Sequence, residues 1–175
     1  PVLDVPEHPT TRYTIVTDKE STVTTVQVTN LRPARNQGTV GGYRDIMVDR
    51  LFSDMLSDRL DEISQSANPP FLRAAAGRAL FPAPRTRDEA VVQALVANDG
   101  VTRGLDALLT ELERVARFGF TATELARAKQ AMMSNFERAE ELLGQALAHA
   151  TSDEDGVRAH GVRIMLYMAS GRFGE

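Results

Sequence analysis

The amino-acid sequence predicts an α+β fold in which a mainly antiparallel sheet is covered on one face by helices. Three observations predict it. Strand-like runs come in two pairs, one before and one after a long helical segment. Three stretches repeat apolar residues at three- and four-residue steps. The resulting order, β-β-α-β-β-α-α, lacks the regular strand and helix alternation of a parallel α/β sheet. With 175 residues, 42% hydrophobic and 25% charged, the chain can bury a sizeable core. One domain over residues 12–150 is the simplest division, after an extended lead-in over 1–11 and before a helical tail over 151–175.

The lead-in holds three prolines and His8, which favour extended backbone. From Arg12 to Thr17, "RYTIVT" is β-branched and aromatic, and "DKES" then supplies turn formers, so a hairpin or two sequential strands is expected. In "STVTTVQVTN", Val23, Val26 and Val28 alternate with polar residues, apart from an irregularity at Thr24 and Thr25 where a bulge fits. "LRPARNQGTVGG" reads as a loop. Tyr43, Met47, Leu51, Met55, Leu60 and Ile63 then mark a helix of about six turns ending at Ser64. Pro69 and Pro70 stop it, because neither can join a helical interior.

"FLRAAAGRALFP" is predicted as a strand: its alanines favour helix, but the double proline before it and Gly77 within it decide the matter. "EAVVQALVAND" is a second strand, closed by an Asn-Asp-Gly turn. Leu105, Leu108, Leu112 and Val115 place a helix over about 102–118, with Gly119 as an αL cap. Thr121 and Glu124 have capping-box spacing, in which hydroxyl and carboxylate satisfy each other's backbone amides. Losing such a cap costs about 1 kcal/mol. Behind it, Leu125, Ala128, Met132, Phe136, Ala139, Leu143 and Ala146 form one stripe of a packed helix that breaks near Ala150. "VRAHGVRIMLYMASG" reads as one further short helix.

Twenty basic against 24 acidic residues give a net charge of −4, and the basic residues are dispersed. A nucleic-acid footprint would cluster them. Without cysteine there is no disulfide, zinc-thiolate site or cysteine nucleophile. No apolar run reaches the roughly 18 residues of a membrane span. The first residue is proline rather than methionine, as expected of a processed chain or a domain of a longer one.

His8, His149 and His160 offer no pair at the four-residue spacing that sets two imidazoles on one zinc. His160, near Asp153, Glu154 and Asp155, reads as a surface residue. No G-x-S-x-G elbow occurs. Gly38, Gly41 and Gly42 precede a helix, where amides can meet a phosphate, but the Walker pattern and its lysine are missing. Asp58, Asp61 and Glu62 could form an acid pair, yet Arg59 and the adjacent apolar stripe favour a solvated face. Met47, Met55 and Met132 fall on apolar stripes and read as core filler. No catalytic or metal residue is assigned, and no substrate-binding residue is identified.

Four segments in order, "VPEHPTTRYTIVTDKE", "YRDIMVDRLFSDMLSDRLDEIS", "ANPPFLRAAA" and "GFTATELARAKQAMMSNFERAEE", resemble the insulinase or pitrilysin-like zinc peptidases, and within them the second domain of long bacterial members. The resemblance covers about Val5 to Glu141. It implies an insulinase or mitochondrial-processing-peptidase-like metallohydrolase domain. Active members bind zinc through H-x-x-E-H plus a distant glutamate, with the motif glutamate activating water. That motif occurs nowhere in this sequence, so the resemblance implies zinc in a preceding domain and none in this chain. The expected role is a non-catalytic wall of the peptide-binding chamber. Its partners would be the other domains of the same peptidase and the parent's peptide substrate, with a bacterial envelope location suggested. A catalytically inactive assembly subunit of the family, or an unrelated α+β interaction domain, are the alternatives. After Glu141 the resemblance fades, so either the family's tail is shortened or a boundary falls within it.

Overall fold

The computed structural model describes residue 6 and residues 8–35, 38–80 and 87–148. The chain forms two compact units, Pro1–Phe120 and Thr121–Glu175. The first carries β1 (Thr24–Pro33), α1 (Val40–Ser64), β2 (Arg73–Leu80), β3 (Arg87–Val96) and α2 (Val101–Phe118). The second carries α3 (Ala122–Ala148). The architecture is the α+β class the sequence predicts.

β3 lies between β1 and β2, and both pairings are antiparallel. The register sets Val26, Ala94 and Ala74 in one row and Val28, Val92 and Ala76 in the next. Because side chains alternate across a strand, these rows share one face. Val26, Val92, Ala94, Val96 and Ala74 on it are buried, and Leu56, Leu60, Phe71, Leu108 and Val115 complete the core. α1 and α2 supply the helical members. The predicted helical cover on one face is therefore present in this unit.

Local chemistry explains the element ends. Thr39 caps α1, its hydroxyl accepting from the Gly42 amide at 3.0 Å. Ser57 on α1 accepts from the Ala76 amide at 3.0 Å, tying the helix to β2. The Asn98-Asp99 turn is closed by the Gly100 amide donating to the Ala97 carbonyl at 2.8 Å. Arg103 donates to the Asn68 and Pro69 carbonyls, holding the double-proline loop against the first turn of α2.

Several expectations are corrected. Arg12 to Thr17 form no strand: they are exposed and make no ladder, with Tyr13 at 87% and Ile15 at 91% exposure. A β-branched run has no strand to gain without a partner edge and a buried side. β1 runs unbroken against β3 from Thr24 to Pro33, so the bulge is absent, and the strand takes in Leu31 to Pro33, which reads as loop in the sequence. Proline is tolerated there because β1 is an edge strand. Gly119 has a positive φ of 67°, but its ψ of −152° is not αL; the cap bond from its amide to the Val115 carbonyl is nonetheless made at 2.8 Å.

In α3 the predicted capping box is formed. The Glu124 amide donates to the Thr121 hydroxyl at 3.2 Å, and the Thr121 amide donates to the Glu124 carboxylate at 2.6 Å. Along the stripe Ala128 is buried, Met132, Phe136, Ala139 and Leu143 are half-buried, and Leu125 is exposed. The short helix predicted after Ala150 lies outside the described residues.

Candidate functional site

The sheet face opposite the core carries Thr25, Gln27 and Thr29 from β1 and Glu89, Gln93 and Leu95 from β3, with Arg73 and Ala75 from β2. Thr25, Gln27, Thr29 and Gln93 are exposed. Along β1 from Thr25 to Thr29 the outward residues are polar, as expected where one face of an antiparallel sheet meets solvent, while β3 places Val91 and Leu95 on the same face. The Gln27 amide donates to the Thr29 hydroxyl at 2.7 Å and to Glu89 at 3.3 Å, and the Thr29 hydroxyl also donates to Glu89 at 3.3 Å. A hollow of about 280 Å³ lies on this face among Thr25, Arg73, Ala75, Gln93 and Leu95. The face offers amide and hydroxyl groups that can hold a polypeptide backbone. Glu89, its carboxylate, is committed to two neutral donors.

Two ionic clusters stand beneath the helices. Arg35 reaches Asp88 and Asp49, each at 2.7 Å, while Arg78 reaches Asp49 at 2.9 Å and Asp88 at 3.2 Å. Asp88 is fully buried. The four groups join the loop before α1, α1 itself, β2 and β3. Among the described residues, the Arg78 Nε and the Asp88 Oδ1 find no hydrogen-bond partner. Glu111, also buried, takes Arg59 at 3.1 Å and Arg114 at 3.2 Å. Arg59 further donates to the Gly119 carbonyl at 3.1 Å and lies 4.8 Å from the Phe120 ring centre. Phe120 meets Phe52 edge-on at 5.4 Å. A buried carboxylate held between two guanidiniums cannot act as a general base without giving up its pairing, so both clusters are structural.

Sequence reading missed these two carboxylates, although a signal exists for each. Glu111 falls on the apolar stripe between Leu108, Leu112 and Val115. Asp88 falls on the inward parity of β3 with Ala90, Val92 and Ala94. A charge on a core-facing position announces a buried partner.

The residues singled out earlier are not brought together. His8 is exposed and its Nδ1 lies 2.8 Å from the Thr10 carbonyl oxygen. Asp58, Asp61 and Glu62 are exposed on α1. Burial raises the pKa of nearby Asp54, opposed by Arg50 and reinforced by Asp58. The pKa of Tyr43 is also raised by burial, with Arg50 opposing. Gly41 and Gly42 lie in the first turn of α1. Met55 is buried, while Met47 and Met132 are half-buried. His149 and His160 lie outside the described residues. Among the described residues no group of three or more His, Cys, Asp or Glu could hold a metal ion, so their donors do not fit a zinc centre. No described helix is long and apolar enough to cross a membrane.

This antiparallel sheet under two helices has counterparts among solved structures. Superposition on the periplasmic protease PqqL from Escherichia coli covers 88% of this chain and 19% of that one, with a TM-score of 0.64 at 18% identity. The first half of the same protease gives 0.65 at 18% identity, over 89% of this chain and 37% of that one. A zinc protease PQQL-like protein of Arabidopsis thaliana is 34% identical over 71 residues, which are 41% of this chain and 7% of that protein. No family model matches. The chain therefore shares the fold of part of the PqqL protease, and it spans well under half the length of each of these relatives.

Proposed function

We propose that this chain is a non-catalytic domain of a zinc metallopeptidase, the metal being held by a preceding domain. It forms part of the wall around the peptide. The observation that supports this best is a PqqL-like fold across nearly nine tenths of the chain together with a sequence that has no H-x-x-E-H. The open sheet face is the wall surface that would meet substrate, since Thr25, Gln27, Thr29 and Gln93 present polar groups in rows to an extended chain. The helix-covered face forms the supporting layer. Residues 12–150 act as one domain in this reading, with the bacterial envelope as its compartment, the parent's other domains as its partners and the parent's peptide as its substrate.

The gene's upstream sequence tests the reading. An intact H-x-x-E-H there, and loss of peptide cleavage by the full-length protein when its glutamate becomes glutamine, are the expected results. A degenerate motif in a full-length protein that binds no zinc would instead make the chain part of an inactive assembly subunit.

A further inference from the structure

A hollow of about 310 Å³ lies on the helix side of the sheet, away from the face assigned to the peptide. Its apolar floor is Val28, Ala76 and Val92, closed by Leu56 of α1 and Leu112 of α2. Small side chains, Ala76 of β2 and Ala90 of β3, line it from successive sheet rows and leave the space open. At its mouth stand Asn30, Arg32, Asp49 and Arg78.

Charge at that mouth is unequal. Asp49 and Arg78 belong to the quartet with Arg35 and Asp88, whose two positive and two negative groups cancel. Arg32 is left over: it is exposed, and no ion pair is found for it among the described residues. Apolar walls beside one uncompensated guanidinium complement a compact apolar body that carries a carboxylate. A cation would meet Arg32 directly, and a neutral apolar group would leave the guanidinium without a partner.

We infer that this hollow binds an apolar carboxylate, its aryl or branched-alkyl body lying on Val28 and Ala90 and its carboxylate paired with Arg32. A free acid and the C-terminal residue of a peptide share that chemistry. The inference does not rest on the peptidase reading, and its failure would leave that reading intact.

The test is a titration of the isotope-labelled chain, followed by amide shifts, with benzoate, neutral benzamide and cationic benzamidine. Benzoate is expected to saturate with a Kd on the order of 1 mM, the range open to a ligand of this size. The shifts should centre on Val28, Ala90, Val91 and Leu112. Benzamide should bind about fivefold more weakly, and Arg32→Gln should lower benzoate to the same level. Ala90→Leu should abolish binding of both while keeping the fold, checked by its melting temperature; Ala76→Val is the substitute should that variant not fold. Acetyl-Ala-Ala-Phe with a free carboxylate, set against its C-terminal amide, separates the sources. Tighter, carboxylate-dependent binding of the peptide identifies a peptide C-terminus, and binding of benzoate alone identifies a free acid. Absence of saturation, equal binding of benzamide, or binding that survives Ala90→Leu overturns the inference.

Discussion

Gly104 in the first turns of α2 provides a sharp test of the packing between helix and sheet. A Cβ placed there would lie 2.5 Å from Cγ1 of Val96, 3.5 Å from the Pro70 carbonyl and 3.6 Å from Cγ2 of Val26. Carbon atoms pack best at about 3.5–4.0 Å, so the first contact overlaps by roughly 1 Å. Val96 cannot yield cheaply: it is 3% exposed and lies on the central strand. Overpacking of this kind costs about 1–3 kcal/mol, while replacing a helical glycine with alanine returns about 0.5–1 kcal/mol. The net for Gly104→Ala is a loss of about 1–2 kcal/mol. Gly41→Ala is the control in the same unit, since nothing stands within 4 Å of its Cβ position, and it should gain up to about 1 kcal/mol. Urea unfolding of both variants reads the difference, expected at about 1–3 kcal/mol. If Gly104→Ala were as stable as Gly41→Ala, α2 would not lie as close to β3 as described, and the packing argument would fail.

Three further outcomes follow from the same structure. Asp88→Ala leaves Arg35 and Arg78 facing each other without their shared buried carboxylate, and denaturant titration should show a loss of about 3–5 kcal/mol. Phe136→Ala in α3 removes a half-buried ring and should cost about 1.5–2.5 kcal/mol, roughly half the penalty of a full core position. Asp54 has a pKa raised above its reference of 3.8, so folding favours its protonated form and its ionised form opposes folding at neutral pH. Asp54→Asn should therefore stabilise the protein at pH 7 and lose that advantage as the pH falls below 3.8, which a series of melts across pH would show.

Much of the fold was legible because periodicity and punctuation agree. Apolar residues at helical steps between Tyr43 and Ile63, bounded by Pro69 and Pro70, leave few alternatives, and α1 ends at Ser64 as expected. Gly77 and the double proline likewise outweighed the helix preference of Ala74, Ala75 and Ala76, which lie in β2. The failures share one cause. "RYTIVT" has the composition of a strand, but composition cannot say whether an edge is available to pair with it, and in this structure it stays exposed. Leu31 to Pro33 carry loop-like residues but extend β1 because β3 runs opposite them. The parity of Asp88 signals a buried partner, but which residues pair with it in the ionic quartet was illegible for a related reason. Arg35, Asp49, Arg78 and Asp88 are dispersed along the chain, and only the sheet register and the docking of α1 bring them together. The open polar face became recognisable once the parity of each strand was known.

The central claim is that this chain contributes a wall and supplies no water-activating centre of its own. Metal analysis of the purified 175-residue chain, equilibrated with excess zinc and desalted, tests it most directly when paired with a peptide-cleavage assay on the same sample. The account predicts substoichiometric zinc and no cleavage above the buffer rate. One zinc retained per chain, together with hydrolysis that a chelator abolishes, would contradict it.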